Sequence, residues 1–184
     1  MPNILTPVGT LNFPQLFEAA PRSKGSEKLV YTGVLCMDPA ARNTGAFKTL
    51  EEAIEEIVQD LMKKHKIKRE RIDVALRDGD EKADKYPSYA GTLYIAPWSE
   101  SRPAIIGPDK EAVFDKDDVW SGQLARFNVR PFGWEYSGKY GVNFNLNGVQ
   151  IMKFDMPRLD GKPTVDAMFD DAKIASGNSR PAPF

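Results

Sequence analysis

Apolar positions follow a helical period in the segment KTLEEAIEEIVQDLMKKHK, residues 48–66. They recur every three or four residues, which places them on one stripe of an α-helix. The stripe consists of Leu50, Ala53, Ile54, Ile57, Val58, Leu61 and Met62. Thr49 and Glu52 have the spacing of a capping box, and lysines in the last turn complement the helix dipole. We therefore predict one amphipathic helix whose apolar stripe packs on a sheet.

Alternating apolar and polar positions predict strands in most of the remaining chain. The candidate strands are residues 10–13, 28–37, 71–77, 89–96, 104–106, 119–129 and 140–152. Clusters of Gly, Pro, Asp and Ser separate them, and SGKYG (residues 137–141) has the composition of a hairpin turn. Five or six strands with one helix predict a mainly β fold, an OB-fold-like five-stranded barrel with extra strands.

Side chains alternate between the two faces of a strand, so parity sorts the residues of the last two strands. In segment 119–136 the odd positions that suit a core are Ala125, Phe127 and Val129. The even positions are Arg126, Asn128, Arg130, Phe132, Trp134 and Tyr136, and guanidinium groups are costly to bury. In the next strand Tyr140, Val142, Phe144 and Leu146 alternate with Lys139, Asn143, Asn145 and Asn147. If the pairing continues through Pro131 and Gly133, three rings share a solvent-facing surface with two arginines.

Two earlier segments divide in the same way. In 71–77, Ile72, Val74 and Leu76 oppose Arg71, Asp73 and Arg77. In 89–98 we expect Leu93 and Ile95 to be internal and Tyr94 and Trp98 to point outward.

Charge is distributed unevenly along a chain whose formal net charge is −1. The segment RFNVRPFGWEYSGKYGVNFNLN, residues 126–147, contains a single acid, Glu135, among rings and cations. Unpaired bases stack on aromatic rings for about 1–3 kcal/mol per base, and phosphates require Lys and Arg without nearby carboxylates. The segment therefore predicts a surface for single-stranded nucleic acid. Aromatic residues also fill strand cores, and that alternative stays open at this point.

The candidate DNA-binding residues follow from this sorting of faces. Stacking is expected from Phe132, Trp134 and Tyr136, and more weakly from Tyr94 and Trp98. Phosphate contacts are expected from Arg77, Lys82, Arg126, Arg130 and Lys139. The sequence has no phosphate-cradling glycine loop, nucleophile elbow or zinc-ligand spacing, so we expect no catalysis, no metal and no cofactor.

The segment RDGDEKADK, residues 77–85, concentrates acids: Asp78, Asp80, Glu81 and Asp84. Gly79 is misplaced for an EF-hand, and we interpret the segment as a solvated turn that closes a strand. Converging carboxylates are also what a two-metal nuclease needs, so a nuclease that uses Asp78, Asp80 and Glu81 is an alternative. Lys82, Lys85 and Tyr86 are placed to extend a binding groove.

The cysteine content and the N-terminal segment indicate the cellular compartment in which the protein works. Cys36 is the only cysteine, so no intrachain disulfide can form, which fits a reducing compartment. The opening MPNILTPVGTLNFPQLF lacks the pattern of a secretory signal, and no apolar run approaches the roughly 18 residues of a membrane span. We expect a cytosolic setting and no membrane partner. Nothing in the sequence supports a catalytic dyad of Cys36 with His65, the only histidine.

Three segments resemble a phage family of single-stranded-DNA-binding proteins, formerly catalogued as a domain of unknown function and typified by one from an Enterobacter phage. They are TPVGTLNFPQLFEA, LRDGDEKADKYPSYAGTLYIAPWSESRPAIIG and DDVWSGQLARFNVRPFGWEYSGKYGVNFNLNGVQ, which run in order within residues 6–154. The resemblance implies an OB-fold domain, residues 1–165, that coats single-stranded DNA during phage replication or recombination in the cytoplasm of the infected bacterium. A β-rich phage structural protein is the alternative.

Residues 166–184 are expected to form a flexible, mildly acidic tail. Phage single-strand binders that the chain resembles often end in an acidic segment with a terminal aromatic residue, which docks replication partners. Here Asp166, Asp170 and Asp171 lie more than ten residues before Phe184, and Arg180 intervenes. We expect Asp170, Asp171 and Phe184 to contact replication or recombination proteins.

Overall fold

The computed structural model describes residues 2–161, which contain ten strands and one long α-helix. The helix is α1 (Gly45–His65). The strands are β1 (Ile4–Leu5), β2 (Gly9–Pro21), β3 (Leu29–Met37), β4 (Ile72–Val74), β5 (Arg77–Asp78), β6 (Leu93–Ile95), β7 (Trp98–Ser99), β8 (Ala104–Ile106), β9 (Leu124–Tyr136) and β10 (Lys139–Lys153). No helix in the described part of the chain is long and apolar enough to cross a bilayer.

The pairings of β2, β3, β7, β10 and β9 close into a ring. β2 pairs antiparallel with both β3 and β9, and β3 pairs antiparallel with β7. β7 pairs parallel with β10, and β10 pairs antiparallel with β9 along almost its whole length. The remaining strands attach to this ring: β1 to β9, β4 and β8 to β10, β6 to β3, and β5 to β6. The prediction of a mainly β, OB-fold-like architecture with extra strands and one helix is confirmed.

The core lies inside this ring and under α1. Phe127 from β9 and Phe144 from β10 are fully buried with Leu11, Leu35 and Ile151. One face of α1 packs against the same cluster through Phe47, Leu50, Ile54, Ile57, Val58 and Leu61. The predicted apolar stripe of the helix is therefore confirmed, with Ala53 and Met62 at its partly buried margin.

The helix begins earlier than predicted, at Gly45. Its N-cap is Thr44, whose hydroxyl oxygen accepts a hydrogen bond from the Phe47 N–H at 3.2 Å. Thr49 lies inside the helix and donates its hydroxyl to the Gly45 carbonyl at 3.0 Å. The predicted capping box of Thr49 and Glu52 is wrong, because the four residues 45–48 are already helical and place Thr49 in the second turn.

The two threonines make the cap testable. Thr44→Ala should lower the free energy of unfolding by about 1 kcal/mol, because a helix N–H loses its acceptor. Thr49→Ala is the matched control and should change it by less than about 0.5 kcal/mol, since Thr49 satisfies no free N–H. Urea denaturation followed by circular dichroism measures both. Equal losses would show that Thr44 does not cap the helix.

Two predicted strands are interrupted in the structure. Residues 71–77 do not form one strand, because β4 pairs with β10 whereas β5 pairs with β6, and the chain changes partner between them. Residues 89–96 contribute only β6, since Pro87–Tyr89 forms a 3-10 turn whose Tyr89 carbonyl accepts the Thr92 hydroxyl at 2.7 Å.

The other strand boundaries differ in length. β2 continues well past its predicted end at residue 13, by way of register shifts between Asn12 and Ala20. β9 begins five residues later than predicted, because Lys116–Asp118 forms a 3-10 turn and Gly122 has a φ of 113°. The short strands β1 and β7 were not predicted, whereas residues 104–106 are the strand predicted.

The hairpin of β9 and β10 turns more tightly than predicted. Tyr136 pairs directly with Lys139, so the loop consists of Ser137 and Gly138 alone. Both have positive φ, 51° and 74°, which is the conformation of a type I′ turn and matches the twist of the flanking strands. The tight turn lets both strands run unbroken to the hairpin tip, where they extend the outer face of the ring.

Candidate nucleic-acid interface

The two faces of β9 separate as parity predicts. Ala125, Phe127 and Val129 are completely buried. The register continues without a break past Pro131 and Gly133, which pair with Phe144 and Val142. The even positions of β9 therefore share an outer face. On β10 this face is formed by Lys139, Gly141, Asn143 and Asn145, which lie opposite Tyr136, Trp134, Phe132 and Arg130.

Three rings meet on this face in what we call the aromatic groove. β7 lies between β3 and β10 and places Trp98 on the same face, where its ring meets Phe132 edge-on at a centroid distance of 6.1 Å. Trp134 completes the set. The groove has a volume of about 430 Å³ and is lined by Arg22, Asp73, Ala75, Arg77, Trp98, Phe132, Trp134, Val142 and Asn143.

The position of Trp134 depends on a glycine in the neighbouring strand. Gly141 pairs with Trp134, and a Cβ atom on Gly141 would lie 2.5 Å from the indole atoms Cε2 and Cζ2. The indole therefore lies directly across the backbone of β10. A side chain at residue 141 would occupy the place of the ring.

Cations surround the aromatic groove. The Arg22 guanidinium lies 4.3 Å from the centroid of the Trp98 ring, and the Lys28 ammonium lies 4.8 Å from it. Arg77 pairs with Asp73 at 2.7 Å, so the acid that lines the groove is already partnered. Sequence reasoning missed Arg22 and Lys28. The available signal was the basic composition of RSKGSEK, residues 22–28, which ends at the first residue of the predicted strand 28–37.

The Trp98 indole carries an unsatisfied donor. Within residues 2–161, its Nε1–H is buried and has no hydrogen-bond acceptor. Buried polar groups are rarely left unpaired, because desolvation without a partner costs free energy.

Amide side chains occupy the middle of the outer face. Asn145 donates to Asn147 at 3.1 Å, and Asn147 donates to Asn128 at 3.2 Å. Arg130 is exposed opposite Asn145, between these amides and the rings. Arg126 lies at the far end, where its Nε–H donates to Gln150 at 2.8 Å, and it lines a separate cavity of about 250 Å³.

The hairpin tip carries two further candidates. Tyr136 is 77% exposed and lies opposite the exposed Lys139. Neither residue lines the aromatic groove. Arg71 approaches the tip and donates to the Gly138 carbonyl at 3.5 Å, which adds a second cation there.

Tyr94 does not point into solvent, and this prediction is wrong. Its side chain is 4% exposed, packed edge-on against Tyr89 at 5.0 Å. Its face of β6 is covered by the loop that contains Tyr89, and the Lys82 ammonium lies 5.3 Å from its ring. Lys82 itself is exposed and is not among the residues that line the aromatic groove.

The acidic segment is a structured turn, as predicted. Gly79–Lys82 forms a 3-10 turn in which Asp78 accepts a hydrogen bond from the Asp80 N–H at 2.9 Å. Asp80 in turn accepts from the Gly91 N–H at 2.7 Å. In residues 2–161 no group of three or more His, Cys, Asp or Glu side chains could hold a metal ion. The nuclease alternative therefore finds no metal site in the described part of the chain.

Cys36 is a packing residue. Burial raises the pKa of its thiol to about 11, although hydrogen bonds with Thr92 and Asn12 lower it in part. The thiol is therefore protonated at neutral pH and a poor nucleophile. His65 is the other residue of the dyad considered from the sequence. Its ring packs against the Tyr140 ring at a centroid distance of 4.7 Å.

The Cys36 thiol should make stability fall in alkaline solution. Its pKa is 9.0 in an unstructured chain and about 11 when folded. As pH rises through this window the unfolded chain releases the proton first, so the free energy of unfolding decreases. Cys36→Ala should show a smaller decrease between pH 8 and pH 10.5, measured by urea denaturation. If the free energy of unfolding fell equally with pH in the wild type and in Cys36→Ala, the Cys36 thiol would not be the group responsible.

The sequence of residues 3–178 matches a protein family described as Enterobacter phage Enc34, ssDNA-binding protein. The chain belongs to this family. The resemblance found in the sequence is thus confirmed, and the family is one of binding proteins and not of enzymes. Protein p50 of Acyrthosiphon pisum secondary endosymbiont phage 1 is 34% identical over 101 residues. That match covers 54% of this chain and 53% of p50, so the chain matches about half the length of this relative.

Solved structures of phage proteins share the fold. The single-stranded DNA-binding protein from bacteriophage Enc34, in complex with ssDNA, superposes with a TM-score of 0.69 at 21% identity, over 84% of this chain and 88% of that one. The single-stranded DNA-binding protein gp2.5 of bacteriophage T7 has a TM-score of 0.60 at 13% identity, over 89% of this chain and 98% of gp2.5. At identities of 21% and 13%, these superpositions establish only that this chain shares the fold of the two phage proteins.

Proposed function

We propose that this chain binds single-stranded DNA along the outer face of β9 and β10. The observation that carries the proposal is the aromatic groove, where Trp98, Phe132 and Trp134 meet Arg22 and Arg77. Bases stack on the rings, and phosphates lie against the cations that flank them. Membership of the Enc34 family, whose description is that of an ssDNA-binding protein, supports the same ligand.

The chemistry of this face favours strand selectivity without sequence selectivity. Every base has a π-face, so stacking contributes about 1–3 kcal/mol per base whatever the sequence. In a duplex these π-faces are covered by neighbouring pairs. The Asn128, Asn145 and Asn147 amides bond to one another, which orients them, and their remaining N–H groups and lone pairs can meet sugars or base edges without adding a charge.

The proposed contacts revise the set predicted from sequence. Stacking is assigned to Trp98, Phe132 and Trp134, with Tyr136 at the tip of the hairpin. Phosphate contacts are assigned to Arg22, Lys28, Arg77, Lys82, Arg126, Arg130 and Lys139. Tyr94 leaves the set because its ring is buried.

The biological role is the protection of single strands during phage DNA replication or recombination, in the cytoplasm of the infected bacterium. The domain over residues 1–165 and the tail over 166–184 remain predictions. Asp170, Asp171 and Phe184, the proposed contacts for replication or recombination proteins, lie outside the described residues 2–161.

A tryptophan-fluorescence titration tests the proposal. The ligand is an oligothymidylate of about 30 nucleotides, longer than the footprint of one OB fold, with a duplex of equal length as control. We expect quenching that weakens with salt at a log–log slope of about −0.7 per phosphate contacted. Quenching by the duplex of equal strength would remove strand selectivity. No binding of either ligand at low salt would favour the β-rich structural protein instead.

A further inference from the structure

A second group of rings lies outside the aromatic groove. Phe13 packs edge-on against Tyr86 at 5.0 Å, Tyr86 lies 5.5 Å from Tyr89, and Tyr89 lies 5.0 Å from Tyr94. The two inner rings, Tyr89 and Tyr94, are buried, whereas Phe13 is 49% exposed. The outer pair therefore presents aromatic surface to solvent on a base of buried rings. We call this pair the Phe13–Tyr86 platform.

The backbone of Phe13 adopts a conformation that bulky residues avoid. Its φ is 47°, in the left-handed region, and it lies at a register shift of β2 between Asn12 and Gln15. The Phe13 N–H donates to the buried Ser121 hydroxyl at 2.9 Å, which holds this conformation in place. Glycine or asparagine would satisfy this backbone at lower cost. A strained residue that projects an apolar ring into solvent indicates a functional position.

Hydrogen bonds also fix the loop that carries Tyr86. Ser88 donates to Asn12 at 3.1 Å, and Asn12 donates to the Thr10 carbonyl at 3.3 Å and to the Cys36 sulfur at 3.4 Å. These bonds tie the Tyr86 loop to β2 beside Phe13. The platform is therefore held in one arrangement before any ligand arrives, which reduces the entropic cost of binding.

Strand β3 connects the platform to the aromatic groove. Thr32 pairs with Trp98 of the groove, and Cys36 pairs with Tyr94 beneath the platform. Thr32 and Cys36 are an even number of residues apart, so both ring clusters lie on the same face of β3. Four residues of strand span about 13 Å at about 3.3 Å per residue. One extended oligonucleotide can therefore reach both clusters.

Charge at the platform is mixed. The Lys85 ammonium lies 5.3 Å from the Tyr86 ring centroid, in position to meet a phosphate beside a base stacked there. Asp78 and Asp80 are bonded to backbone N–H groups, whereas Glu81 and Asp84 are exposed on the same loop. Stacking, more than charge, would therefore hold a ligand here.

We propose that the Phe13–Tyr86 platform is a second base-stacking subsite for the DNA strand that occupies the aromatic groove. This inference rests on the proposed function. It extends the binding path from β9 and β10 across β3 to β2, and it makes affinity depend on the length of the bound strand.

The test uses Phe13→Ala and oligothymidylates of about 4 to about 30 nucleotides, with affinity measured by fluorescence anisotropy at one salt concentration. We expect the variant to bind the longest strand about 5- to 150-fold more weakly, the range for loss of one stacked base. The shortest strands that bind the wild type should bind the variant equally well, because they fit within the aromatic groove. Phe13→Trp keeps an aromatic ring at this position and should bind long strands about as tightly as the wild type.

Two controls make the result specific to the platform. Phe114→Ala removes a ring that is 82% exposed on the segment between β8 and β9, and it should bind every length as the wild type does. Phe13→Gly removes the ring while relieving the positive φ, which gives a second ring-less variant that remains folded.

Three outcomes would overturn the subsite. The first is wild-type affinity at every length for both folded Phe13 variants, while Trp134→Ala is weakened; the proposed function would then stand and the subsite alone would fall. The second is a loss of affinity for long strands in Phe114→Ala that is as large as the loss in Phe13→Ala. The third is normal DNA binding by Phe13→Ala with loss of a protein partner, which would reassign the platform to protein contact. Failure of the wild type to bind any length would instead reject the proposed function.

Discussion

Trp134→Ala is expected to bind a long oligothymidylate about 5- to 150-fold more weakly than the wild type, which corresponds to about 1–3 kcal/mol of lost stacking. Trp134 has the largest ring of β9, and it lies across Gly141 and lines the aromatic groove. Its removal takes away stacking area without removing a charge. The slope of affinity against salt should therefore stay close to that of the wild type, because the phosphate contacts remain.

Trp134→Phe is the matched control for this prediction. It keeps an aromatic ring in the groove and should retain most of the affinity, whereas Trp134→Ala should not. Fluorescence anisotropy of labelled DNA measures both, and circular dichroism confirms that both are folded. If a folded Trp134→Ala variant bound DNA with wild-type affinity, Trp134 would not belong to the interface.

Gly141→Ala should impair both stability and DNA binding. A methyl group at residue 141 would lie 2.5 Å from the Trp134 ring and 2.6 Å from the Asp73 carbonyl oxygen. Because the backbone of β4 cannot yield as a flexible side chain does, the methyl group forces β4 and the indole away. We expect a loss of about 1–3 kcal/mol in the free energy of unfolding, the usual cost of overpacking. Displacement of the indole should also weaken DNA binding.

Gly148→Ala provides the comparison within the same strand and on the same outer face. There the nearest atom to a new Cβ is the Ala104 carbonyl oxygen at 3.3 Å, which leaves room for a small adjustment. Urea denaturation and oligothymidylate binding should both show a much smaller change than for Gly141→Ala. Similar losses at the two positions would show that the close contact with Trp134 has no special importance.

Local periodicity explains what the sequence predicts well. The helical stripe that includes Leu50 and Ile57, and the alternation of Phe127 with Arg126, depend only on spacing along one element. Burial of the odd face of β9 followed directly from that spacing, and so did the outward direction of Phe132 and Trp134. These two rings of the groove were predicted because the strand remains regular past Pro131.

Contacts between distant segments explain what the sequence does not predict. Tyr94 has the parity of an outward ring, but the 3-10 turn Pro87–Tyr89 just before β6 folds over it and packs Tyr89 edge-on against it. Arg22 reaches Trp98 from the connection between β2 and β3, so no spacing rule joins the two residues. The left-handed φ of Phe13 depends on a hydrogen bond from its backbone to Ser121, more than a hundred residues away.

Photo-crosslinking can establish whether single-stranded DNA lies on the outer face of β9 and β10. The wild-type protein would be irradiated with a bound oligothymidylate and digested, and the crosslinked peptides would be sequenced by mass spectrometry. We expect crosslinks at Trp98, Phe132 and Trp134 that disappear when unlabelled single strands compete. Crosslinks confined to α1, or to the exposed Phe114, with none on β7, β9 or β10, would contradict this expectation.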